Sequence, residues 1–161
     1  MDKHLAQIPA TAGTYILLFE TISSTDVQIG RLGPLSLETG IYAYIGSAFG
    51  PGGIRARINH HLHSRANPHW HLDYLRQMLI PKEAWFVEGH RQSEHRWAES
   101  MASNSSVCIP LAGFGASDCA CRSHFFNLHK QMSINRLFDQ ACLSWWQGAN
   151  ICRYELFSDN L

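Results

Sequence analysis

Arg57 and His61 stand four residues apart in "IRARINHHLHS" (54–64). On a helix that spacing puts both side chains on one face. Ile54, Ile58 and Leu62 form an apolar stripe in the same segment, so the pair lies at the edge between core and solvent, where a cleft wall would be. A guanidinium is a fixed positive fork suited to phosphate. Glu94 in "RQSEHRWAESMAS" (91–103) shares a helix face with Trp97, Ala98, Met101 and Ala102, while Glu99 points away. A carboxylate on a core-facing stripe needs a partner or a cation, and one carboxylate with several waters suits Mg²⁺. Hydrolysing a phosphodiester needs an activated water, a clamp on the phosphate and neutralisation of the leaving oxygen. Each residue also has a plainer reading. Arg57 and His61 could be surface and boundary side chains, and Glu94 a first-turn acid favoured by the helix dipole or paired with Arg91 or Arg57.

"HWHLDYL" (69–75) places His69, His71 and Asp73 close together, but two histidines two apart do not share a helix face. His71 is a candidate for contact with a nucleic acid or the active site. "DCACRSH" (118–124) holds Cys119, Cys121 and His124. Zinc sites usually have two residues between paired cysteines and need a fourth ligand, for which Cys108 is the only nearby candidate. Buried structural cysteines are the competing reading.

The elements that would position these groups can be read from periodicity. "GTYILLF" (13–19) is apolar at nearly every position, as expected of a strand buried on both faces. "VQIGRLGPLSL" (27–37) reads as strand, turn, strand. "GIYAYIGS" (40–47) alternates, with Tyr42, Tyr44 and Gly46 on one face and Ile41, Ala43 and Ile45 on the other. "FGPGG" (49–53) is a loop before the 54–64 helix. Residues 69–79 are expected to be a second helix, 83–89 a strand, 91–103 a third helix, and 133–146 a fourth. Residues 110–126 read as irregular, leading into a short strand. The order predicts an α+β fold: a small central antiparallel or mixed sheet flanked by helices. No repeat, linker or domain boundary is visible, so 1–161 is expected to be a single domain.

The totals agree with a globular chain. It has 161 residues, 45% hydrophobic and 16% charged, with zero formal net charge. No apolar run approaches the roughly 20 residues needed to span a bilayer, and the start lacks the apolar segment of a signal peptide. A cytoplasmic location is expected, with no membrane contact. The five cysteines form no regular framework, so reduced thiols are expected. Between Thr39 and Leu72 the only formal charges are Arg55, Arg57 and Arg65, interspersed with five histidines. Such a local basic patch can bind phosphate on a neutral chain; a solvated helix face is the alternative. Arg55, His63, Arg65 and His71 are the candidate DNA contacts.

"GTY" (13–15), "YIG" (44–46), Arg57 with His61, and Glu94, in that order, resemble the GIY-YIG nuclease superfamily. The resemblance covers about residues 11 to 128, leaving 129–161 as a C-terminal extension. It is closest to a largely uncharacterised branch with a long hairpin between the signature strands and segments like "YIGSAFGPGG", "HWHLDYL" and "GFGASDCACRSHFF". Thr14 departs from the usual isoleucine, a mild change because both are β-branched. The resemblance implies that the two tripeptides lie on neighbouring antiparallel strands and that Tyr15 and Tyr44 line the active site, one of them helping to deprotonate the attacking water. It implies further that Arg57 clamps phosphate, that His61 assists proton transfer, and that Glu94 holds one Mg²⁺ or Mn²⁺. A tyrosine has a pKa near 10, so acting as a base requires a nearby cation. Tyr42 is expected to be structural. Asn104, Asn127, Asp118 and Ser123 compete for the family's late polar position, and Ser47 and Asp118 are candidate supporting contacts. The implied function is metal-dependent endonucleolytic hydrolysis of DNA, with specificity from this domain or a protein partner. The alternative is a catalytically silent nucleic-acid-binding module on the same scaffold; a third reading is a zinc-stabilised interaction domain.

Overall fold

Strand β1 (Gly13–Thr21) is apolar throughout because both its faces are covered. Tyr15, Leu17 and Phe19 enter one core cluster, and Ile16 and Leu18 enter a second on the opposite face. The computed structural model describes residues 3–63, 66–146 and 150–156. β1 is central in a six-stranded sheet, flanked by β4 (Gly40–Ala48) and β5 (Ile80–Glu88), both antiparallel to it. The hairpin of β2 (Thr25–Ile29) and β3 (Gly33–Leu37) forms a separate two-stranded sheet, burying Ile29, Leu35 and Leu37 in the first cluster. The fold is α+β, as the sequence predicts.

Helix α1 (Gly53–Leu62) covers the first face with Ile54, Ile58 and Leu62. Its N-terminal donors would otherwise lack partners. Backbone carbonyls of the preceding segment take two of them: Thr11 accepts from Ile54 at 2.9 Å and Pro9 from Arg55 at 3.0 Å. Helix α2 (Ser93–Ala102) covers the second face with Trp97, Ala98 and Met101. Helix α3 (Ile134–Ser144), capped by the Ser133 hydroxyl, adds Leu137 and Ala141 to that face. Trp146 is buried there between Trp85 and Trp97, so the end of the 133–146 segment belongs to the core. Burying a large apolar side chain contributes about 1.5–3 kcal/mol, and this face buries three tryptophans.

Three elements differ from expectation. The helix predicted over 69–79 is only a 3₁₀ turn, His71–Leu75. The Asp73 carboxylate accepts from the backbone N–H groups of His69 and Trp70, both at 2.9 Å, so it acts as a cap where a helix interior was expected. Arg76 then ties the segment down by donating to the carbonyls of Leu62 and Leu79. Two short edge strands were not predicted: β6 (Val107–Cys108), which pairs with β7 (Phe125–Leu128), and β8 (Cys152–Glu155), which pairs with β5. β8 is anchored by a bidentate pair from Arg153 to Glu83 at 2.6 and 2.7 Å. The C-terminal extension is therefore integrated into the same sheet. Among the described residues no helix is long and apolar enough to cross a membrane.

The β1–β4 register places Tyr15 opposite Gly46 and Leu17 opposite Tyr44. The two signature tripeptides thus face each other across neighbouring antiparallel strands. A Cβ on Gly46 would overlap the Tyr15 hydroxyl and ring, so the glycine gives the tyrosine its seat. Gly46→Ala should lower stability by about 1–3 kcal/mol through overpacking. Denaturant unfolding measures this; a wild-type midpoint would contradict the packing described.

Candidate functional site

A cleft of about 390 Å³ opens at one end of the sheet. Tyr15 from β1, Tyr44 and Ser47 from β4, Arg57 from α1, His71 from the 3₁₀ turn, Glu94 from the first turn of α2 and Asp118 from the following loop all line it. Seven residues singled out from sequence therefore meet in one place. His61 stands just behind them.

The Tyr15 hydroxyl lies 2.8 Å from Nε2 of His61. His61 is 2% exposed, and its Nδ1 has no hydrogen-bond partner among the described residues. A buried orphan lone pair is tolerated better than a buried orphan N–H. That favours hydrogen on Nε2, donated to the Tyr15 oxygen, with the phenol hydrogen free to turn into the cleft. Burial, then the neighbouring His60, push the His61 pKa down to about 3, so its imidazole is neutral. Burial raises the Tyr15 pKa well above its usual value; Tyr44 and Glu94 raise it further, and Arg57 opposes them. Burial and then Glu94 likewise raise Tyr44. Tyr42 instead exchanges hydrogen bonds with the Glu38 backbone and stacks on Phe125, a structural position.

The His61 shift predicts acid sensitivity. The unfolded imidazole binds a proton below about pH 6.5 and the folded one only near 3. The unfolded state therefore binds more protons in that window, and stability falls as pH drops. The expected loss is about 2 kcal/mol by pH 5 relative to a His61→Gln variant. Parallel stability–pH curves for the two proteins would contradict it.

Arg57 lies with its guanidinium 4.4 Å from the Trp70 ring centroid. Trp70 is itself packed on His60, with ring centroids 4.0 Å apart. No carboxylate pairs with Arg57 among the described residues, so its donors stay available to an anion. Sequence reasoning did not single out Trp70; an aromatic inside a histidine-rich run was the available signal.

Glu94 is held by His124, whose Nδ1 lies 3.3 Å from its carboxylate, and by the Ser47 hydroxyl. Burial pushes the carboxyl up, but these hydrogen bonds and the charges of His124 and His95 outweigh it and keep the group ionised. The anticipated arginine partners lie elsewhere: Arg57 on Trp70, and Arg91 over the Phe49 ring at 4.6 Å. His124 is buried beneath β4, where it also donates to the Ile45 carbonyl at 3.0 Å. Burial opposes its protonation, but Glu94, Cys119 and that carbonyl push its pKa up to about 9. Its pairing with Glu94 was missed because the two are distant in sequence.

The remaining candidates are placed as follows. His71 faces the cleft, and its Nδ1 accepts from the Gly115 N–H at 2.9 Å. Gly115 has φ +71°, where a side chain would be strained, and a Cβ there would crowd Tyr44 and His124. Arg55 does not face the cleft; it donates to the carbonyls of Ile8 and Ala6, tying the N-terminal segment to α1. His63 is exposed at the helix end and bonds the Asn59 carbonyl. Arg65 lies outside the described residues. Of the late polar candidates only Asp118 lines the cleft. Asn104 caps Ser106 and holds Gln140, Ser123 bonds the Phe125 backbone, and Asn127 on β7 sits beside Cys108 on the paired strand β6. Cys108 is thus not the fourth partner of Cys119, Cys121 and His124; His95 is.

A family model described as "Domain of unknown function DUF123" matches residues 14–146, from β1 through Trp146. That span contains every residue of the cleft. No curated protein and no solved structure matches the chain.

Proposed function

From the premise that the chain belongs to the DUF123 family, whose description assigns no activity, we propose a function from the cleft: metal-dependent endonucleolytic hydrolysis of DNA phosphodiesters, of the GIY-YIG type. The observation that supports it is convergence. Elements far apart in sequence bring a guanidinium with no carboxylate partner among the described residues, an ionised carboxylate and a tyrosine bonded to a neutral histidine to one opening.

Arg57 receives the scissile phosphate, its fork matching two phosphoryl oxygens. Tyr15 acts in its phenolate form: His61 donates to the phenolate oxygen, which faces the attacking water, accepts one of its protons and ends as the neutral phenol. Arg57 also opposes the burial that holds Tyr15 protonated. The water oxygen forms the new bond to phosphorus as the bridging bond breaks. Glu94 suits a hard divalent ion: it is ionised, 19% exposed toward the cleft and oriented by two hydrogen bonds. Mg²⁺ or Mn²⁺ bound there would supply neutralisation of the charge developing on the phosphate and leaving oxygen. Asp118, which also lines the cleft, would offer the ion a second oxygen donor.

The test is cleavage of labelled single-stranded, duplex and branched DNA with Mg²⁺ or Mn²⁺, comparing the wild type with Tyr15→Phe. The variant should cut about 10²–10⁴-fold more slowly. Cutting at the wild-type rate would remove Tyr15 from the mechanism.

A further inference from the structure

We propose that His95, Cys119, Cys121 and His124 form a Cys₂His₂ zinc site that staples α2 to the loop before β7. The four side chains come from two regions separated in sequence, and their ligating atoms all lie within 4.8 Å of one another. Two of the contacts already have the spacing of tetrahedron edges. His95 Nδ1 is 3.3 Å from the Cys121 sulfur, and the Cys119 sulfur is 3.4 Å from His124 Nε2. Bonds of about 2.3 Å to sulfur and 2.0–2.1 Å to nitrogen imply tetrahedron edges of about 3.3–3.8 Å.

The donor set is soft, two thiols and two imidazoles, which selects zinc over Mg²⁺. His124 is already arranged as a ligating histidine is. Its Nδ1 is engaged by a carboxylate and a backbone carbonyl, which leaves Nε2 facing the sulfurs. The other cysteines are apart from this group: Cys108, Cys142 and Cys152 are exposed. The loop also has a use for a staple. Between β6 and β7 it has no helix or strand, and it is held by a few backbone bonds such as Gly113 to Arg122 and His124 to Phe114. Cross-linking it to α2 offsets the entropy of closing a long irregular segment. An open cavity beside His95, Cys119 and Cys121 gives an ion a route in. The one-residue gap between the cysteines is shorter than the usual spacing, yet both sulfurs lie within 4.8 Å of both histidine nitrogens.

His124 joins this site to Glu94, so zinc would also fix the carboxylate's orientation. That link rests on the cleavage reading; the zinc site does not.

The experiment is metal analysis of the purified full chain grown with zinc, followed by replacement with Co²⁺. A stoichiometry near one zinc per chain is expected, lost in the Cys119→Ser, Cys121→Ser double variant. The Co²⁺ form should show tetrahedral ligand-field bands and a thiolate charge-transfer band. His95→Ala, which removes an exposed side chain and leaves the core intact, should weaken zinc binding about tenfold or more. Chelation should lower the melting temperature of the wild type and leave the double variant unchanged. Sub-stoichiometric zinc, Co²⁺ bound without thiolate charge transfer, or melting indifferent to chelation would overturn the proposal. None of these readouts depends on DNA cleavage, so a nuclease reading that fails leaves the zinc result standing.

Discussion

Arg57→Ala should slow phosphodiester cleavage about 10²–10³-fold, the usual loss when a preorganised donor to developing charge is removed. The guanidinium has no acid partner among the described residues and lies over the Trp70 ring, 4.4 Å from its centroid. Its position is therefore set by packing before any ligand arrives, and little reorganisation accompanies binding. Lysine restores the charge but not the planar fork or the stack, so Arg57→Lys should recover only a small part of the rate. The loss of one phosphate contact should also reduce the salt dependence of DNA binding by about one unit of log–log slope. Single-turnover cleavage and a salt titration measure the two effects. An Arg57→Ala protein with wild-type rate and slope would show that the phosphate lies elsewhere.

Glu94→Gln should lose cleavage by about 10³-fold or more, since a divalent ion contributes several kcal/mol of charge stabilisation. The substitution keeps the shape of the side chain. It also keeps an oxygen that can accept from His124 and Ser47. Folding should accordingly change little, because the carboxylate is partly exposed at the cleft wall while Trp97, Ala98 and Met101 carry the helix packing. DNA affinity should hold or rise, since a negative charge facing phosphate is removed. This combination separates the metal role from a structural one. Loss of folding with loss of activity would assign Glu94 to the His124 network alone.

Most of the frame was legible because its segments carry unambiguous periods. β1 is apolar on both faces, β4 alternates, and the α1 and α2 stripes fall at helical spacing. Glu94 was legible for the same reason: a carboxylate on the stripe of Trp97 and Ala98 must be answered by something. What answers it was not. His124 reaches Glu94 from the loop before β7, and neither segment's own pattern encodes that contact. The 69–79 segment misled because Asp73 reads as a helix-interior polar residue, while its carboxylate caps the backbone four residues upstream. β6 and β8 have two and four residues, so their strand character comes from pairing with β7 and β5 and not from local pattern. Arg55 belonged to a basic patch by composition; its donors go to the carbonyls of Ala6 and Ile8, which only the fold brings near.

The most direct measurement is the rate at which the wild-type chain cuts labelled single-stranded, duplex and branched DNA as Mg²⁺ or Mn²⁺ is titrated from none. The cleft described here predicts no cutting without added ion and a saturable rise in rate on at least one substrate. DNA bound but left intact at every ion concentration, or cut equally without it, would contradict a metal-dependent nuclease.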